Sequence, residues 1–279
     1  TVGSVGAGQM GSGIAQTCAS AGYQVVLWDI SSEASQHAVA GIGKRLDRLV
    51  EKEKISADEC SAAKTRIRAV GALDDFSDCD LVIEAVTENL AVKTELFEKL
   101  DAILAPHSYL VSNTSSISIT KIASATKRPE QVMGVHFMNP VPVMKLVELI
   151  RGLQTSDASY QAMEQFVTSI GKTSILAKDT PGFIVNRVLV PMINEAIFLV
   201  QEGVKPEDVD QGMVLGTNQP MGPLTLADFV GLDTCLYILQ VLHRELGEDK
   251  YRPCPLLIKY VEAGWHGRKT GRGFYEYGD

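Results

Sequence analysis

Two rhythms of apolar residues alternate along the chain. Short apolar runs occur at the start of the chain, at QVVLWD ending in Asp29, and at about 67–71, 80–86 (DLVIEAV) and 109–113 (YLVSN). Between them lie stretches with helical spacing: Ile14, Ala15, Cys18 and Ala19 in the first, and residues 89–104 in a later one. Residues 34–53 form an amphipathic pattern with Ala38, Ile42, Leu46 and Leu49 on one face, and a second short helix is expected at about 57–66. Strands that alternate with helices imply a parallel sheet with right-handed crossovers. Residues 132–150 break the rhythm. Two apolar runs there flank a loop carrying Asn139-Pro140 and Pro142, which predicts strand, turn, strand. After a last strand-like run, TSILA at 173–177, the pattern is helical only. Thr180-Pro181 reads as an N-cap with Pro at N1, opening a helix over 181–202 that is bent at Pro191 and stopped by Gly203. Further helices are expected at about 206–215, 223–229, 231–246 and 255–263. Gly3 and Ser4 are less apolar than a central strand normally requires.

Length and composition add boundaries. A chain of 279 residues can hold two domains with real cores, and 45% apolar with 22% charged residues is ordinary for a globular protein. The formal charge of −8 argues against a nucleic-acid or anionic-membrane surface, so an anionic ligand would need a local basic patch. The five cysteines are odd in number and form no CxxC, which points to a reducing, cytoplasmic setting without zinc. No apolar run approaches the roughly 18–20 residues of a membrane span, and no signal-like segment opens the chain, which also lacks an initiating Met.

Chemistry enters at the first turn. Gly6-Ala7-Gly8-Gln9-Met10-Gly11 is a G-x-G-x-x-G between a strand and a helix. Its glycines allow a tight turn, close approach of backbone to a pyrophosphate, and close packing of helix on strand. The diphosphate would rest on the free N–H groups of the helix N-terminus. Asp29, at the end of the second strand, is placed to bond the ribose diol; it would repel a 2′-phosphate, and Ile30-Ser31-Ser32 offer no Arg to receive one. NAD is therefore expected rather than NADP. The domain reading is a Rossmann-type, doubly wound, mostly parallel α/β sheet over 1–178, with a protruding helical pair at about 34–66, followed by an all-α domain over 179–279.

Ligands of such sheets bind beyond the carboxyl ends of the strands. Glu88 follows one strand, Asn113 and Ser115 follow the next, and Lys93 lies one helical turn into 89–104. The hairpin of 132–150 can bring His136 beside Glu148. A carboxylate on one ring nitrogen fixes the tautomer and leaves the other nitrogen as a proton acceptor. Taken alone, such a pair is more often a satisfied core histidine, and the run of Lys44, Arg48 and Lys52 with Arg45 is more often a solvated face than a cationic rail for a phosphorylated ligand.

Together these motifs resemble the L-3-hydroxyacyl-CoA dehydrogenase family, including its 3-hydroxybutyryl-CoA branch. The resemblance rests on GAGQMGSGIAQ, IEAVTENLAVK, SNTSSISIT, GVHFMNPVPVMKLVEL, KDTPGFIVNRV, PMGPLTLADFVGLD and KTGRGFYEY, in order from Gly6 to Tyr277. It implies His136 as catalytic base, Glu148 as its partner, and Ser115 with Asn186 as holders of the reacting oxygen. It implies that Asp29, Glu88, Lys93, Ser115, Asn139 and Lys269 contact NAD, and that Arg48 and Lys52 contact the CoA nucleotide of an acyl-CoA substrate. Where members of the family carry Ser at position 45, this chain has Arg45. The resemblance also strengthens the expectation that the helical domain, with segments such as TCLYILQVL apolar on more than one face, pairs with a second copy in a homodimer. Rival readings are a dehydrogenase of a small hydroxy or sugar acid on the same scaffold, and a non-catalytic NAD-binding relative. A metal has no place in any of them.

Overall fold

The computed structural model describes residues 1–278. The chain divides into two compact units, one over Thr1–Thr180 and one from Pro181 onward. The first unit contains eight strands: β1 (Val2–Val5), β2 (Val25–Trp28), β3 (Ile67–Ala69), β4 (Leu81–Glu84), β5 (Tyr109–Ser112), β6 (Val132–Phe137), β7 (Leu146–Arg151) and β8 (Thr173–Lys178). They form one sheet in the order β3-β2-β1-β4-β5-β6-β7-β8. The first six are parallel; β7 runs antiparallel to β6, and β8 runs parallel to β7. The order reverses between β1 and β4, which opens a crevice beyond their carboxyl ends.

The helices of this unit are α1 (Gln9–Ser20), α2 (Ser32–Glu51), α3 (Ala57–Thr65), α4 (Leu90–Ile103), α5 (Ile119–Ala123) and α6 (Asp157–Ser169). The start of α2 is fixed by the Ser31 side chain, which accepts from the Ala34 N–H, and α3 opens with a Ser56–Glu59 capping box. Ile42 and Leu46 anchor α2 in the core, while Arg48 and Lys52 stay exposed. The two odd residues of β1 have structural reasons. A Cβ on Gly3 would stand 2.4 Å from the ring of the buried Phe76. Ser4 is buried, and its hydroxyl donates to the Gly11 carbonyl at 3.1 Å, tying the strand to the glycine turn.

The second unit is helical: α7 (Val185–Gln201), α8 (Pro206–Thr217), α9 (Pro223–Val230), α10 (Leu232–Leu246) and α11 (Pro255–Glu262), around a core that includes Ile193, Ile197, Leu224, Leu239 and Leu257. The sequence pattern placed the start of the first of these helices at 181, and that expectation is corrected. Gly182 and Phe183 sit at φ +74° and +48°, outside the right-handed helical region, so the helix cannot begin before Ile184. Pro191 does lie inside α7. The final segment is held by buried Asp228, which accepts from the N–H groups of Phe274 and Tyr275 and from the Tyr277 hydroxyl, each at 3.0 Å. Burial, opposed by those bonds, raises the Asp228 carboxyl above its usual range. Among the described residues no single helix is long and apolar enough to cross a membrane.

Candidate active site

The glycine turn joins β1 to α1, and each of its glycines has a distinct steric role. Gly6 sits at φ +102°, and a Cβ there would stand 2.6 Å from the Ala85 carbonyl oxygen. A Cβ on Gly11 would overlap the Gly6 carbonyl oxygen at 1.8 Å, so helix and turn pack on bare backbone. Gly8, the N-cap of α1, meets nothing within 4 Å. No side chain caps this helix and its first turn holds no acid, so its N–H groups face open space with the positive end of the helix dipole behind them. Met10 is half-buried beside them. Asp29 accepts from the Ala7 N–H at 2.8 Å and from the Ser31 N–H at 3.1 Å, which fixes its carboxylate at the lip of the turn. The Gln9 amide donates to the Asn139 side-chain oxygen at 3.0 Å and so links the turn to the β6–β7 loop. These residues fit a dinucleotide: open space at Gly8, an uncapped helix N-terminus behind it, and an acid held beside the turn at the end of the second strand. Ile30, 92% exposed just past Asp29, adds an apolar surface that the sequence reading passed over.

Beyond β4 and β5 lies a buried charge array. Glu84 is fully buried; its Oε1 accepts from Lys93 Nζ at 2.5 Å and from the Val86 N–H at 2.7 Å, and its Oε2 accepts from the Ser112 hydroxyl at 2.6 Å. Lys93 is itself 1% exposed, with Glu88 Oε2 3.4 Å from its ammonium. The other oxygen of Glu88 gathers donors from the loop after β5: the Thr114 hydroxyl at 2.5 Å, the Ser115 N–H at 2.9 Å and hydroxyl at 3.3 Å, and the Ser116 N–H and hydroxyl, both at 3.0 Å. Burial pushes the Glu88 carboxyl up, but Lys93 and these donors outweigh it and hold the group below its ordinary value. The structure brings together Glu88, Lys93 and Ser115, three residues that the sequence also puts near the strand ends. The sequence reading left out Glu84 and Ser112, which look there like ordinary strand positions.

His136 and Glu148 are directly opposed in the antiparallel β6–β7 register. The imidazole Nδ1 lies 2.7 Å from Glu148 Oε2, with the histidine 7% exposed and the glutamate fully buried. In the tautomer where Nδ1–H donates to the carboxylate, Nε2 carries a lone pair. Asn113 is nearly buried, and its side-chain oxygen accepts from the Phe137 N–H at 2.8 Å, which pins the end of β5 to the end of β6. Glu88, Asn113, Ser115, His136 and Asn139 thus all lie at or just past the carboxyl ends of parallel strands.

The remaining expected residues are placed as follows. Asn186 is in the first turn of α7. Lys269 is exposed and ion-paired with Asp233 at 2.6 Å at the start of α10. Arg48 is exposed on α2, and Lys52 is exposed at its C-cap. Arg45 turns inward instead: its Nε donates to Gln16 at 2.7 Å, and its Nη2 is buried without an acceptor. No group of three or more metal-ligating side chains occurs among the described residues.

Residues 1–180 match the family model "3-hydroxyacyl-CoA dehydrogenase, NAD binding domain", and residues 182–277 match "3-hydroxyacyl-CoA dehydrogenase, C-terminal domain". The chain belongs to the 3-hydroxyacyl-CoA dehydrogenase family. It is 55% identical over 277 residues to the 3-hydroxybutyryl-CoA dehydrogenase of Bradyrhizobium diazoefficiens, covering 99% of this chain and 94% of the relative. It is 56% identical over 273 residues to a probable 3-hydroxybutyryl-CoA dehydrogenase of Bacillus subtilis, covering 98% and 95%. The crystal structure of (S)-3-hydroxybutyryl-CoA dehydrogenase from Ralstonia eutropha superposes with a TM-score of 0.96 at 51% identity, over 100% of this chain and 99% of that one. Members of this family are NAD-dependent oxidoreductases, and the expected fold class, cofactor and family of this chain are borne out.

Proposed function

We propose that this member of the 3-hydroxyacyl-CoA dehydrogenase family oxidises L-3-hydroxybutyryl-CoA to acetoacetyl-CoA with NAD and catalyses the reverse reduction. The observation that carries the reading is His136 facing Glu148 at the end of the same sheet whose first turn fits a dinucleotide. When bound, NAD supplies the hydride acceptor. His136 Nε2 takes the proton from the C3 hydroxyl as the C–H bond gives up its hydride to the cofactor, and Glu148, bonded to Nδ1–H, stabilises the imidazolium that forms. Ser115 is held by Glu88 through its N–H, and its hydroxyl, which points to Glu88 at 3.3 Å, turns to donate to the oxygen as it becomes a carbonyl. Asp29 selects NAD by occupying the space a 2′-phosphate would need. Glu88, Lys93, Asn113, Asn139 and the N–H groups after Gly8 complete the cofactor's side of the site.

The roles of Asn186 in holding the oxygen, of Lys269 toward NAD, and of Arg48 and Lys52 toward the CoA nucleotide rest on the family resemblance. The exposed apolar side chains of the helical unit, such as Val188 at 68% and Leu215 at 75%, favour a homodimer. Five buried free cysteines favour a reducing, cytoplasmic setting. The test is His136→Gln. Turnover should fall by about 10³-fold or more, since the general base is lost, while NADH affinity measured by fluorescence stays within twofold. Retained turnover would remove His136 from the base position.

A further inference from the structure

Glu84 is a carboxylate in the middle of an apolar strand end, and the reaction proposed above gives it no task. Its neighbours in β4, Val82 and Ile83, are completely buried hydrophobes. A buried ion pair is a poor source of stability, because two apolar side chains of similar size often serve as well. Both oxygens of Glu84 nevertheless accept hydrogen bonds. One oxygen holds Lys93 and the Val86 N–H, and the other holds Ser112, its register partner on β5. Lys93 reaches Glu88, and Glu88 holds both the N–H and the hydroxyl of Ser115. An unbroken path therefore runs from Glu84 through Lys93 and Glu88 to Ser115, at the switch point where β4 adjoins β1. Two carboxylates share one ammonium along it, so the array carries an excess of negative charge.

We infer that Glu84 is a positioning residue: its carboxylate anchors Lys93 and, through Glu88, sets the geometry and charge beside the nicotinamide end of the cofactor site. This rests on the reading above, in which the nicotinamide lies near Ser115. Only the oxidised nicotinamide ring is positively charged, and in a site of low effective dielectric an excess carboxylate favours it over the neutral reduced ring. Glu84 thus biases the site toward NAD⁺ relative to NADH. Removing its charge should weaken the two cofactors unequally, which loss of packing alone would not do.

The test is Glu84→Gln, which keeps the shape and most of the hydrogen bonds, alongside Glu84→Asp, which keeps the charge. Dissociation constants for NAD⁺ and NADH are measured separately by fluorescence titration, with steady-state kinetics on acetoacetyl-CoA. The expected result for E84Q is an NAD⁺ constant raised about tenfold, an NADH constant raised less than threefold, and a KM for acetoacetyl-CoA within twofold. E84D should recover the wild-type ratio of the two constants. Equal weakening of both cofactors, or no change, overturns the inference. If E84Q does not fold, Ser112→Ala removes a hydrogen bond from the same carboxylate but keeps its charge, so the ratio should stay within twofold of wild type; a ratio shifted more than threefold overturns the inference equally. Wild-type protein that fails to bind NAD(H) or to turn over would instead defeat the underlying reading, so the two failures are distinct.

Discussion

Replacing Glu148 by Gln isolates the contribution of one charge to the proposed chemistry. The substitution is isosteric, and Glu148 is fully buried in the middle of β7, so the strand and its register with β6 should persist. Two things are lost. The first is the attraction between the carboxylate and the imidazolium that forms when His136 takes the proton. For charge centres about 4 Å apart at an effective dielectric of about 20, that attraction is about 4 kcal/mol, or about three decades in rate. The second is the tautomer. A Gln amide can present its NH₂ to Nδ1 at the observed 2.7 Å separation, which would leave the proton on Nε2 and no lone pair for the substrate. The corresponding change in a Ser-His-Asp triad costs about 10⁴-fold in kcat, so a loss of about 10³–10⁴-fold is expected here. Stopped-flow reduction of acetoacetyl-CoA measures it, with thermal melting and NADH titration as controls for folding and cofactor binding. A variant that is folded, binds NADH and loses less than tenfold in kcat would refute the assignment of Glu148.

Other consequences follow from the same geometry. Gly8→Val should leave thermal stability within a few degrees, because its Cβ meets nothing within 4 Å, yet abolish NADH binding in a fluorescence titration. Gly11→Ala should instead lower the melting temperature, since its Cβ would overlap the Gly6 carbonyl oxygen at 1.8 Å; the opposite pattern would contradict the separate roles given to the two glycines. Glu88 titrates below its ordinary value when folded. An acid of this kind stabilises the folded chain fully at pH values above its unfolded pKa of about 4.3 and loses that contribution as pH falls through the lower folded value. Melting curves of wild type and Glu88→Gln should therefore differ at pH 7 and converge as pH drops below about 4, and a gap that stays constant would contradict the shift.

Much of this architecture is legible in the sequence because period and punctuation agree. The strands, the two helices after β2 and the His136–Glu148 hairpin all carry local signals: apolar runs of strand length, the helical spacing of Ala38, Ile42, Leu46 and Leu49, and Pro140 and Pro142 between the two runs of the hairpin. What failed did so for nonlocal or backbone reasons. The start of α7 was misplaced because Thr180-Pro181 carries the right cap chemistry, while the left-handed backbone at Gly182 and Phe183 leaves no trace in composition. Gly3 and Ser4 looked unfavourable in β1 because their partners, Phe76 and Gly11, come from elsewhere in the chain. Glu84 was invisible for the same reason. A single acid in DLVIEAV has no pattern, and its meaning depends on a lysine from α4 and a serine from β5. Arg45 belonged to the basic run by spacing, yet its guanidinium turns toward Gln16 on α1.

The central claim is most directly tested by following NADH oxidation at the nicotinamide absorbance band with acetoacetyl-CoA, beside free acetoacetate, each repeated with NADPH. Rapid turnover confined to the thioester with NADH is the predicted result, and it would join the reaction, the need for CoA and the role of Asp29 in a single measurement. Measurable NADH binding without turnover of either substrate, or equal rates with NADPH, would contradict it.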